Sequence, residues 1–139
     1  MAKTPLDKQI EKARKEAQKN AYKEELRQRA ASIVSSQPII NGVRIIDDTA
    51  EIVLNCLLEN CKDSSTGHVS YDNDIFPQAV SRSIGLEIEK LIQYGMVTSY
   101  IPWANGGMLN LLPCSFSYFE RKATAQAMSL ASTTGEKVD

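Results

Sequence analysis

No apolar run in this chain approaches the roughly 20 residues that a membrane-spanning helix needs. The 139 residues include one histidine, one tryptophan and three cysteines. A small, odd cysteine count furnishes no disulfide framework and fits a reducing compartment. No apolar stretch follows the charges of Met1 to Pro5, so no secretory signal is read there and a cytoplasmic location is expected. Histidine chemistry is confined to His68. Its neighbours Ser70, Asp72 and Asp74 suggest a nucleophilic set, but nothing beside them supplies an oxyanion hole or a shaped pocket, so His68 reads as a loop residue. Cys56, Cys61 and His68 lack a fourth partner and the close cysteine spacing of a zinc site. Cys114 has no base in view. Gly106-Gly107 is not followed by Gly-Lys-Ser/Thr and reads as a turn rather than a phosphate loop. No catalytic residue, metal or cofactor is expected.

What is present is an ordinary globular composition with a lopsided charge. Apolar residues make up 42% and charged residues 24%, which suits a single small domain with appendages. Residues 1–36 hold nine Lys/Arg against five Asp/Glu, a balance of +4. Residues 41–122 hold six against ten, a balance of −4. A basic arm is joined to an acidic domain, a distinction that bears on partners rather than on fold.

The arm, residues 1–36, reads as helix. Thr4 is placed to cap it and Pro5 to fill its first position, and strong helix formers run on to about Val34. Leu6, Ile10, Ala13, Ala17 and Ala21, with Tyr22 a further candidate, form a narrow stripe, which Leu26, Ala30 and Ile33 continue after a phase slip. So thin a stripe buries little alone. It suits an arm that docks on something or pairs with its twin, or else a solvated helix. Pro38 disfavours helix at Gln37. Residues 37–47 then form either a short hairpin around Asn41-Gly42 or an apolar linker.

Residues 48–128 read as the folded domain. Asp48 to Glu51 suggest a capped start to a helix reaching about Cys61, with Ile52, Val53, Cys56, Leu57 and Cys61 facing inward. Val69 and Tyr71 alternate with polar residues as a short strand. Two helical runs follow, Asp74–Ser81 and Ser83–Tyr94. In the first, Ile75, Phe76, Ala79 and Val80 face inward and Pro77 fits only in the first turn. The second buries Ile84, Ile88, Leu91 and Ile92, and Gly95 stops it. Met96–Ile101 and Met108–Leu112 are hairpin arms joined through Pro102 to Gly107. Ser115 is placed to cap a last helix with Phe116, Phe119, Ala123 and Ala127 on its apolar side. Residues 129–139 read as a flexible tail.

This order, mainly α with a small β-hairpin, resembles the winged helix-turn-helix superfamily preceded by a long N-terminal helix. Residues Ile84 to Val97 look like a recognition helix entering its wing. The closing segment is similar to a Leu-Thr-Pro-Leu-Gly-Ile-Ser-Tyr-Phe-Glu ending of uncharacterised phage and mobile-element proteins. Leu111, Pro113, Ser117, Tyr118, Phe119 and Glu120 match it, whereas Leu112, Cys114, Ser115 and Phe116 depart from it. The likeness spans roughly residues 48–122.

The resemblance implies that Arg82, Gly85, Leu86, Glu89, Lys90 and Gln93 form the outward face of the recognition helix. That face is poor in cations, and the wing tip around Asn105 has none, although phosphate contacts dominate DNA affinity. The arm offers Lys8, Lys12, Arg14, Lys15, Lys19, Lys23, Arg27 and Arg29 instead, interleaved with glutamates. Trp103 and Tyr100 on the wing are aromatic anchors of the kind enriched at protein interfaces, unless Trp103 folds back on the core. The expectation is a non-catalytic, homodimeric binding protein. Its partner is a protein or protein–nucleic-acid complex, as for a phage inhibitor of host defence, with a DNA-binding regulator as the alternative.

Overall fold

The computed structural model describes residues 4–136. Helix α1 spans Pro5–Ser35, roughly 46 Å at 1.5 Å per residue. Thr4 caps it: its hydroxyl accepts from the Asp7 amide, and the Asp7 carboxylate accepts from the Thr4 amide, an aspartate version of the capping box. Strands β1 (Ile39–Ile40) and β2 (Val43–Arg44) follow as a hairpin, which settles the choice left open for residues 37–47. Asn41 and Gly42 both have positive φ, 49° and 81°, the backbone that a two-residue hairpin turn requires. Arg44 turns back to donate to the Val34 and Gln37 carbonyls at 2.9 and 3.2 Å, covering the carbonyl end of α1. Asn41 Nδ2 donates to the Ala125 carbonyl, so the hairpin also touches the last helix.

Helix α2 spans Asp48–Glu59, and its cap is Asp47 rather than Asp48. The Asp47 carboxylate is the one that accepts from the Ala50 amide. The buried side is Ala50, Val53, Leu54 and Leu57; Ile52 is exposed, since it lies on the other flank of Val53 from Leu54. Strand β3 (His68–Asp72) buries Val69 and Tyr71 and exposes the alternate residues. The run 74–81 is not an α-helix. It consists of two 3-10 turns, Asn73–Ile75 and Gln78–Val80. Pro77 can donate no amide bond and keeps Phe76 extended, with ψ 143°, so the two turns do not fuse. Asp74 caps nothing, and Ala79 is exposed while Phe76 and Val80 are buried.

Helix α3 spans Ile84–Gln93 and ends at Gly95, φ 79°, as its sequence indicates. Ser83 occupies the cap position without a capping bond; its hydroxyl donates to the Val80 carbonyl instead. Strands β4 (Val97–Trp103) and β5 (Gly106–Leu111) are longer than expected. Pro102 and Trp103 belong to the strand, pairing with Gly107 and Gly106 across a turn of Ala104 and Asn105. The three-stranded antiparallel sheet has the order β3-β5-β4. A register shift between Thr98 and Ile101, with Ser99 at φ 57°, bends the outer half of β4.

Helix α4 starts at Pro113, ahead of the Ser115 expected to cap it, and runs to Glu136, through most of residues 129–139 read as a flexible tail. Residues 137–139 lie outside the described residues. Its inward residues are Ser115, Tyr118 and Ala125, with Lys122 half-buried. Phe116, Ala123 and Ala127 of the expected stripe are exposed. Tyr118 sets the phase. Its hydroxyl donates to Glu51 Oε2 at 2.6 Å and accepts from the Ile46 amide at 2.8 Å, while Lys122 donates to the same carboxylate.

One core joins α2, α3, the larger sheet and α4 through Leu54, Leu57, Ile88, Leu91, Leu109 and Tyr118. At its edge a charge is buried. Lys90, 3% exposed, donates to Asp47 Oδ2 at 2.6 Å and Thr49 Oγ1 at 3.2 Å, with Glu87 Oε1 at 2.8 Å. Tyr94 donates to Asp47 Oδ1 at 2.6 Å. Burial alone would raise the Asp47 carboxyl, but the bonds from Lys90 and Tyr94 outweigh it and hold the group below its ordinary 3.8.

Two outcomes follow for stability. Lys90→Ala leaves the buried Glu87 carboxylate without its cation and removes one donor from Asp47, and should cost about 3–5 kcal/mol in chemical denaturation, whereas Lys15→Ala, at an exposed pair 3.9 Å from Glu11, should leave the midpoint unchanged. The depressed Asp47 pKa contributes stability that is fully present above 3.8 and is lost as pH falls through the lower folded value. Asp47→Asn should therefore flatten the acid limb of a stability–pH curve.

Candidate partner-binding surface

The two stripes of α1 meet different fates. Leu26, Ala30, Ile33 and Val34 lie on the body, with Ala30 fully covered and Val34 buried, and this half of α1 packs along α3. Leu6 and Ile10 remain 64% and 51% exposed. Ile10 and Ala30 are separated by roughly 200° around the axis at 3.6 residues per turn, so the phase slip turns the first stripe away from the body. Leu26 reaches Gly85, its Cδ1 lying 3.9 Å from where a β-carbon would stand.

Docking α1 on α3 brings together residues distant in sequence. Lys19, Lys23 and Arg27, one turn apart on α1, line a cleft of about 360 Å³ with Glu89 of α3 and Tyr100 and Pro102 of β4. Tyr22 and Leu26 complete its arm side. Burial lifts the Glu89 carboxyl above the usual carboxylate range, and the charges of Arg27 and Lys23 only partly offset this. Burial also pushes the Tyr100 hydroxyl up, against the lowering influence of Tyr71. The hollow beside Lys8, Lys12 and Lys15 is lined by α1 alone among the described residues.

The expected partner residues separate into groups. Glu89 and Tyr100 share the cleft with Lys19, Lys23 and Arg27. Leu86 is half-buried, whereas Arg82 and Gln93 are exposed near the two ends of α3. Lys90 is a correction: it is not on an outward face but buried against Asp47 and Glu87, because it shares the side of α3 turned toward the start of α2. Trp103 (47% exposed) and Ile101 (52% exposed) lie on the β4–β5 hairpin, the Trp103 indole beside Gly106, with Asn105 exposed at its turn. The Asn105 carbonyl accepts from the Asn73 amide. Lys8, Lys12, Arg14, Lys15 and Arg29 are exposed along α1. Tyr22, Leu26 and Pro102 were not expected at a site. The signal was the recurrence of Lys19, Lys23 and Arg27 every fourth residue beside the second apolar stripe, which places cations on the flank of a docked face.

Among the described residues no group of three or more His, Cys, Asp or Glu is arranged to hold a metal ion, and no helix is long and apolar enough to cross a membrane. No family model matches the chain, and comparison with curated proteins and with solved structures likewise finds no match.

The docked arm makes a direct prediction. Gly85→Ala fits the space and should be neutral to about 1 kcal/mol stabilising. Gly85→Trp should push Leu26 away and accelerate trypsin cleavage at Lys23, Arg27 and Arg29, bringing these sites toward the rate of Lys8 and Lys12. Unchanged cleavage at the three sites would contradict the packing of α1 on α3.

Proposed function

We propose that this protein is a non-catalytic winged-helix binding module whose partner is a protein or protein–nucleic-acid complex. In this reading α2, β3, the 3-10 turns, α3 and the β4–β5 hairpin are the helices, strand and wing of that fold. The sheet order β3-β5-β4 and the element order support it. The setting proposed from the sequence resemblance is a phage or mobile element acting in the host cytoplasm, where an inhibitor of host defence is one fitting role.

The observation that carries the choice of partner is the cover over α3. The helix face that would enter a DNA groove meets α1 at Gly85 and Glu89, and its one central cation, Lys90, is neutralised inside the protein. The wing tip offers Trp103 and Ile101 rather than cations. Such surfaces suit anchored protein contacts. The outward stripe of Leu6 and Ile10 suits pairing of two arms, so a homodimer through the terminal helices belongs to the same proposal.

A DNA-binding regulator is the second reading, favoured by the eight arm cations, all of which remain exposed. A salt titration with random duplex DNA separates the two. The proposal expects weak binding with a shallow slope. A steep slope, lost when the arm lysines and arginines are neutralised, would overturn it. Trp103→Ala should weaken capture of a native-host partner by about tenfold or more, in keeping with a central aromatic anchor; intact capture would remove the wing from the interface.

A further inference from the structure

We propose that the cleft between the arm and the base of the wing docks a short acidic peptide segment carrying one aromatic or large aliphatic anchor residue. The inference rests on the protein-partner reading and names the chemistry that this part of the surface recognises. Its volume, about 360 Å³, lies within the roughly 300–1,000 Å³ typical of small ligand sites. Tyr22 and Leu26 from α1 face Tyr100 and Pro102 from β4, giving apolar walls that a single large side chain can fill. Lys19, Lys23 and Arg27 line the same cleft as cations and leave it net positive against Glu89. The charge therefore selects an anionic ligand and the walls select an apolar one.

Glu89 favours a peptide backbone over a phosphate backbone. The Glu89 carboxylate already lies in the field of Arg27 and Lys23, and a peptide backbone can offer it further N–H donors. The phosphate backbone of DNA offers only acceptors there. A strand of phosphates leaving the cleft would also run over a domain with a balance of −4 between residues 41 and 122, whereas a short segment keeps its anions beside the three cations.

The test is fluorescence anisotropy on the full chain with a labelled Glu-Asp-Phe-Asp-Glu peptide, its Phe-to-Gly counterpart, and a labelled five-nucleotide oligo(dT). The Phe peptide should bind saturably and about tenfold or more tighter than the Gly peptide, the gain expected from burying one aromatic ring. Lys19→Glu and Lys23→Glu, both at exposed positions, should each weaken it severalfold while the chain stays folded by circular dichroism. Gly85→Phe should push Leu26 away, open the cleft and abolish binding; if that variant does not fold, the two charge reversals still decide. Equal binding of the Phe and Gly peptides, indifference to both charge reversals, or tighter binding of oligo(dT) would each overturn the proposal. Capture of a native partner that depends on Trp103 but not on Lys19 or Lys23 would overturn the cleft and leave the protein-partner reading standing. Steep, arm-dependent duplex binding would instead strike at that reading itself.

Discussion

The buried ammonium of Lys90 is the interaction on which the arrangement of helices depends. It joins the cap of α2, Asp47, to the flank of α3, and Glu87 and Tyr94 complete the contact. A buried ion pair is a poor source of net stability, since desolvation consumes much of the attraction, but its geometry permits few alternatives. With Lys90 and Glu87 turned toward α2, and Ile84, Ile88 and Leu91 turned into the core, Gly85 and Glu89 face α1. The rotation of α3 is thereby set, and with it the side on which the arm lies.

That rotation carries a functional consequence. A helix enclosed by α2, the core and the arm presents little of itself to a groove in DNA. Among the surfaces left outside are the hairpin with Trp103 and Ile101, the N-terminal half of α1 with Leu6 and Ile10, and the cleft where the arm's cations approach Tyr100. The acidic body and the basic arm are thus not two independent surfaces. They meet at Glu89, where burial raises the carboxyl and Lys23 and Arg27 partly restore it.

Much of the fold was legible in the residues. Thr4-Pro5, Asn41-Gly42 and Gly95 mark boundaries because each satisfies a specific backbone demand, and the alternation around Val69 and Tyr71 locates β3. The failures have specific causes, two of them long-range. Pro77 broke a run that composition alone would make helical. Asp47 took the capping role from Asp48 because its second oxygen binds Tyr94, a partner 47 residues away. The phase of α4 follows Tyr118, whose hydroxyl answers the Ile46 amide and Glu51; a hydrophobic count favours Phe116 over Tyr118 and misses it. The site was half legible. The cations, Tyr100 and Glu89 were all visible as candidates, but only the docking of α1 on α3 places them together, and nothing in the pattern of Lys90 announced that it is buried.

The central claim is that the second half of α1 closes over α3. Amide hydrogen exchange on the full chain, resolved by segment, tests it most directly. The account predicts that residues 23–34 and α3 are protected together, well above residues 5–20, and that displacing the arm lowers both at once. Exchange across residues 23–34 as fast as in the free half of α1, with α3 unaffected, would contradict it.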